Sequence, residues 1–280
     1  MVEKFSRDCQ RKLKYKNARM QLAVYNSTVF IRAQLGKKNK PHVWFVHGFG
    51  ASSDSFLEAF ELKHLKEYSL FAPDLPGFGL SPVARKPHNV EQAAKLLTLL
   101  IKKFSPSSPV VLVAHSLGGL IATRTALTLK KKVVCYVNVE GNFTKADCFF
   151  SGKAARARNP VKWKQSFQNE LYKLGVKDQS LRRYWSSFRL ASPLVLNWWA
   201  KSGVKETGRE LGGKSFLKVE CPKVYIYGSR SIPQQTKSFI RKNKVNAIEF
   251  KGCGHFIMGE APEKFYRTVA KAISSASRSR

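Results

Sequence analysis

The stretch Val110-Val111-Leu112-Val113-Ala114-His115-Ser116-Leu117-Gly118-Gly119 constrains this chain more than any other. After Pro109, four successive apolar and mostly β-branched residues read as a strand buried on both faces. Directly downstream, Leu120, Ile121, Thr123, Ala126, Leu127 and Leu129 recur at helical spacing. A buried strand that turns at once into a helix brings two backbone segments close together, and small residues permit that approach. Ala114, Gly118 and Gly119 supply them and leave Ser116 at a tight apex, backed by the free N–H groups of a helix N-terminus. Such groups favour a developing anion, so the Ser116 hydroxyl is a candidate nucleophile. An ordinary strand–helix turn with a spare Ser reads the same in isolation, so the remaining motifs decide.

Val43-Trp44-Phe45-Val46, a second buried strand, runs into His47-Gly48-Phe49-Gly50. The glycines permit the backbone to turn an N–H inward, and the Phe49 N–H pairs with that of Leu117 as a candidate oxyanion hole. A strand from Tyr68 then enters Asp74-Leu75-Pro76-Gly77-Phe78-Gly79-Leu80-Ser81, where Asp74 is expected to tie down its own loop. Helices are expected over Asp54–Leu65, capped by Ser53 or Asp54, over residues 89–104, and from Pro262 to Ser274.

A Ser hydroxyl is a poor nucleophile at neutral pH and needs a base within hydrogen-bond reach, itself oriented by an acid. His255, in Gly252-Cys253-Gly254-His255 just after the last strand, Val245–Phe250, is the candidate base. Of the other five histidines, His47 belongs to the glycine loop and His115 flanks the nucleophile. His42, His64 and His88 read as surface residues.

The glycine loop after the first buried strand, the Asp74–Ser81 loop, the Ser116 turn and the Gly-Cys-Gly-His255 loop occur in an order and spacing that resembles the α/β-hydrolase family over nearly the whole chain. The resemblance implies an α/β fold with a mostly parallel central sheet flanked by helices and a helical cap insertion. Residues 17–150 and 216–280 would form the core and 151–215 the cap, with 1–16 as a basic N-terminal extension. The cap region carries Trp163, Phe167, Tyr172, Tyr184, Trp185, Phe188, Trp198 and Trp199, most of these aromatics expected to glue cap to core and about one in three to face the pocket.

Family members usually carry Asp three residues after the Gly that ends the seventh strand. Here Gly228-Ser229-Arg230-Ser231 puts Ser there, and no carboxylate lies between Lys223 and Lys244. Glu140, at the end of the sixth strand Val133–Val139, is the best substitute, because the sixth and seventh strands are neighbours in this fold. A branch of the haloalkane dehalogenases places its acid there. Asp147 is the second choice, and Ser231 is expected to be a bystander. A Ser nucleophile excludes the branches of the fold that use Asp, such as dehalogenases and epoxide hydrolases. What the resemblance implies is a carboxylic-ester hydrolase, with thioester or carbon–carbon cleavage as variants. No cofactor and no metal site is expected. The competing expectation is an inactive binding protein of the same fold, favoured by the missing Asp at 231.

Charge is the other outlying feature: 50 Lys and Arg against 18 Asp and Glu, net +32. Residues 42–150 hold 12 basic and 8 acidic side chains, whereas 151–220 hold 15 and 5. The excess is peripheral to the Ser116 motif, as expected of a partner such as an anionic membrane surface or a polyanion. A merely compositional habit accounts for it equally. No nucleic-acid-binding motif accompanies it. The hydrophobic fraction of 43% is enough for a sizeable core. Five cysteines without a C-x-x-C pair, no apolar leader and no long apolar run lead to a cytoplasmic expectation.

Overall fold

A computed structural model describes residues 18–24, 27–86 and 88–278. The basic extension 1–16 and Cys9 lie outside the described residues, as does part of the turn expected at Asn26-Ser27. Eight strands form one sheet: β1 (Ala18–Val24), β2 (Ser27–Gln34), β3 (His42–Val46), β4 (Ser69–Asp74), β5 (Val110–His115), β6 (Val133–Val139), β7 (Lys223–Gly228) and β8 (Ala247–Phe250). Their spatial order is β1-β2-β4-β3-β5-β6-β7-β8. β1 and β2 pair antiparallel, as do β2 and β4, and every pairing from β4 to β8 is parallel.

The sheet separates two apolar layers by the period-2 alternation of its strands. Trp44, Val46, Leu112 and Ala114 face one layer, and Val43, Phe45, Val111 and Val113 face the other. Helices α2 (Val90–Phe104) and α3 (Gly118–Leu129) cover the first layer. The C-terminal helix Pro262–Arg278, four residues longer than expected, covers the second with Phe265, Val269 and Ile273. Both faces of β5 and β6 are therefore buried, which is why those strands read as continuous apolar runs.

The single helix expected over Asp54–Leu65 is instead broken. A 3₁₀ turn, Ser53–Phe56, precedes α1 (Leu57–Glu61), and Leu62 is extended before a second 3₁₀ turn. The cap is Ser52, whose side chain accepts from Asp54 N. The two residues expected to cap are occupied elsewhere: Ser53 N donates to Asp74 Oδ1 at 2.7 Å, and Asp54 pairs with Arg32 at 2.5 Å. Between β6 and β7 come five helices: α4 (Phe149–Ala155), α5 (Pro160–Gly175), α6 (Gln179–Phe188), α7 (Pro193–Thr207) and α8 (Leu211–Leu217). Cys135, Cys148 and Cys253 form no disulfide among the described residues, and no helix among the described residues is long and apolar enough to cross a membrane.

Candidate active site

The C-terminal ends of β5, β6 and β7 build the site, because the ladder continues one residue past each of the first two strands. Ser116 N donates to Val139 O and Glu140 N to Ile226 O, both at 2.8 Å. Each residue is thus tethered to its neighbouring strand as the chain leaves the sheet. Both sit in the left-handed region, Ser116 at φ 53° and Glu140 at φ 49°, a conformation that costs a non-glycine residue about 1–2 kcal/mol. The packing that enforces it is close: a Cβ on Gly118 would lie 2.4 Å from His47 O.

His255 Nδ1 lies 2.6 Å from Glu140 Oε2. The other carboxylate oxygen accepts from Gly228 N at 2.7 Å and from Ser231 Oγ at 2.5 Å. Ser231, expected to be a bystander, is hydrogen-bonded to the carboxylate through its hydroxyl. Asp147 is engaged differently, accepting from Phe143 N, Thr144 N and Thr236 Oγ1. Burial raises its pKa to about 6.

The His255 loop is fastened by a residue that its motif did not disclose. Glu260 accepts from Gly254 N at 2.7 Å and Phe256 N at 3.1 Å, and Arg230 donates to it at 2.9 Å. His115 Nε2 donates to His255 O at 2.9 Å, and burial followed by the proximity of His255 pushes its pKa well down, so it stays neutral. His47 is also kept neutral by burial; its Nε2 accepts from Leu75 N at 3.1 Å. Asp74 ties its loop as expected, accepting from Ser53 N and from Leu80 N.

The three histidines expected at the surface are better integrated than that. His88 is buried, with a pKa lowered to about 4 by desolvation. His42 is half-buried against Ser105 Oγ, and His64 is half-buried and paired with Glu263. A lone His outside any motif carries no sequence signal that distinguishes these cases.

Ser116, His255, Phe49 and Leu117 line one cavity of about 20 Å³, room for about one water molecule. Among the described residues, neither the Phe49 N–H nor the Leu117 N–H finds an acceptor. From the inserted helices come Phe149, Phe150 and Tyr184; Phe256 adds a further aromatic wall. None of the four tryptophans highlighted in the sequence lines it. Trp199 instead stacks on His47 with ring centroids 5.8 Å apart, and Trp163 stacks on Phe167 at 5.2 Å. Among the described residues, no Lys or Arg lines the cavity, although the chain carries 50 of them.

Residues 45–268 match the family model described as "Alpha/beta hydrolase family". A curated relative, "Putative esterase/lipase 2" of Mycoplasma genitalium, is 24% identical over 263 residues, 87% of this chain and 93% of the relative. Among solved structures, a thermophilic esterase from Thermogutta terrifontis is similar with a TM-score of 0.72 at 16% identity, covering 92% of this chain and 99% of that one. An epoxide hydrolase from Vigna radiata is similar with a TM-score of 0.75 at 17% identity, covering 94% and 99%. At such identities the structural likeness speaks for the fold.

Proposed function

Because the chain belongs to the alpha/beta hydrolase family, we propose that it is a serine hydrolase that cleaves small, uncharged carboxylic esters through an acyl-enzyme at Ser116. The observation that carries the reading is the 2.6 Å contact between Glu140 and His255 Nδ1, with the imidazole and Ser116 on the wall of one cavity. With Nδ1–H donated to the carboxylate, the other ring nitrogen is the acceptor for the Ser116 proton. Ser116 Oγ attacks the ester carbonyl, the proton passes to His255, and Glu140 stabilises the imidazolium that results. The N–H groups of Phe49 and Leu117 receive the oxyanion. The imidazolium then protonates the departing alkoxide. Water, deprotonated by His255, releases the acid and regenerates Ser116.

The aromatic walls and the absence of cations favour a neutral acyl group over an anionic one. An esterase/lipase name on the curated relative agrees with ester chemistry. A carboxylate at Glu140 in contact with His255 supports the enzyme reading over that of a binding protein without a catalytic acid.

A fluorophosphonate probe tests the reading. Wild type labels at Ser116, Ser116→Ala does not, and Glu140→Gln turns over 4-nitrophenyl acetate roughly 10²–10⁴ times more slowly with little change in KM. Absence of labelling between pH 6 and 9 refutes it.

A further inference from the structure

Glu140 reaches His255 from a strand next to the one on which relatives usually carry the acid, and an acid moved in this way meets a physical difficulty. A Glu side chain has one more rotatable bond than Asp, so more of its conformations miss the imidazole. Something must hold the carboxylate at the correct angle. Two donors converge on Oε1, the Gly228 N–H at 2.7 Å and the Ser231 hydroxyl at 2.5 Å, and leave Oε2 to His255 at 2.6 Å.

We propose that Ser231 is a positioning residue for the acid: its hydroxyl fixes the Glu140 carboxylate in the orientation that His255 requires. The inference rests on the hydrolase reading above and adds a residue to it. The surroundings agree. Ser229 Oγ accepts from Gly252 N at 2.9 Å, and Arg230 donates to Glu260, which clamps the His255 loop. Three consecutive residues after β7 thus secure base and acid together. Ser231 Oγ also lies 3.3 Å from Gly228 O, a contact that would merely close the turn, but the bond to Glu140 is much the shorter. A donor on a carboxylate draws off part of its negative charge, so the Ser231 hydroxyl also moderates how strongly Glu140 holds the proton on His255.

The ionisable groups facing this pair are His115, Asp147 and Tyr225, with Arg230 and Glu260 on the loops. His115 is held neutral by burial, whereas Asp147 titrates near 6, so each pH profile is compared between variants and repeated in an Asp147→Asn background.

The experiment is the pH dependence of kcat and KM on 4-nitrophenyl acetate from pH 5 to 9. Ser231→Ala lowers kcat roughly 3- to 30-fold, leaves KM within about twofold, and moves the acidic limb to higher pH. Ser231→Thr, which keeps the hydroxyl, retains both kcat and the limb. Ser231→Asp sets a second carboxylate against the first; the two share a proton, and the limb moves further up. In the Glu140→Gln background the same substitution raises activity at least about tenfold, since it returns an acid to the site. The sign of Ser231→Asp therefore depends on residue 140. If Ser231→Ala matches wild type in kcat and limb while Glu140→Gln is crippled, Ser231 is a bystander and only this inference falls. A loss confined to thermal stability overturns it equally. If wild type neither labels nor turns over ester, the hydrolase reading falls and takes this inference with it.

Discussion

The carboxylate of Asp147 is enclosed by the Phe143 and Thr144 N–H groups and the Thr236 hydroxyl, and is raised to about 6 by burial despite them. Folding therefore favours its protonated form. The sign follows: its contribution to stability is fully present below the unfolded pKa near 3.8 and is lost as pH rises through about 6. Two units correspond to roughly 3 kcal/mol on an order-of-magnitude scale. Asp147→Asn keeps a carbonyl oxygen for the two N–H groups and an amide for Thr236, and it should flatten the stability profile between pH 4 and 6. Denaturant titrations at each pH measure this; an unchanged slope would refute it. At this scale Ser116 and His255 were legible in the sequence because each stands in a short, glycine-marked motif. Glu140 was legible only through the adjacency of β6 and β7. The Ser231 contact was not, since nothing in a sequence says where a hydroxyl points once a carboxylate arrives from another strand.

Helix α3 begins so close to the loop after β3 that the first turn and that loop share one space. A methyl group at Gly118 would stand 2.4 Å from His47 O and 2.7 Å from Val46 O, both backbone atoms that cannot rotate away. Gly118→Ala must push the helix N-terminus away from the loop, which separates the Leu117 and Phe49 N–H groups. Expected are a destabilisation of roughly 1–3 kcal/mol and a greater than tenfold loss of probe labelling in the fraction that remains folded, read by melting and by labelling rate. Equal labelling would mean that the two N–H groups do not act together. Strands β5 and β6 and helices α2 and α3 could be placed from periodicity because apolar burial dominates them. The segment Ser53–Leu65 could not, because there two hydrogen bonds to residues of the sheet, Asp74 at the end of β4 and Arg32 in β2, override helical propensity. Of the cavity-lining cap aromatics, Tyr184 was among those expected in part to face the cavity, whereas Phe149 and Phe150 were not. The tryptophans carried the stronger signal, yet Phe149 and Phe150 reach the cavity, because α4 starts right after the β6 loop.

At the scale of the molecule the net charge is +32, while among the described residues no Lys or Arg lines the cavity. Exposed charges are screened beyond about 8 Å at physiological ionic strength, so binding to anionic vesicles should be strong at low salt and fade as salt rises. Turnover of a neutral ester should barely respond. Attack by Ser116 creates an imidazolium and an oxyanion together, a pair with no net charge on which a distant field has little purchase. Paired measurements of vesicle co-sedimentation and ester turnover from 20 to 300 mM salt, on the order of one decade in concentration, check both expectations. Absence of binding at low salt would make the charge a compositional habit. The same arrangement treats the two ends of the reaction unequally. An ester arrives uncharged and indifferent to the field, whereas deacylation leaves a carboxylate on a protein whose net charge is +32. Retention of that acid, rather than capture of the ester, is the step that ionic strength would govern, and product inhibition should deepen as salt is removed.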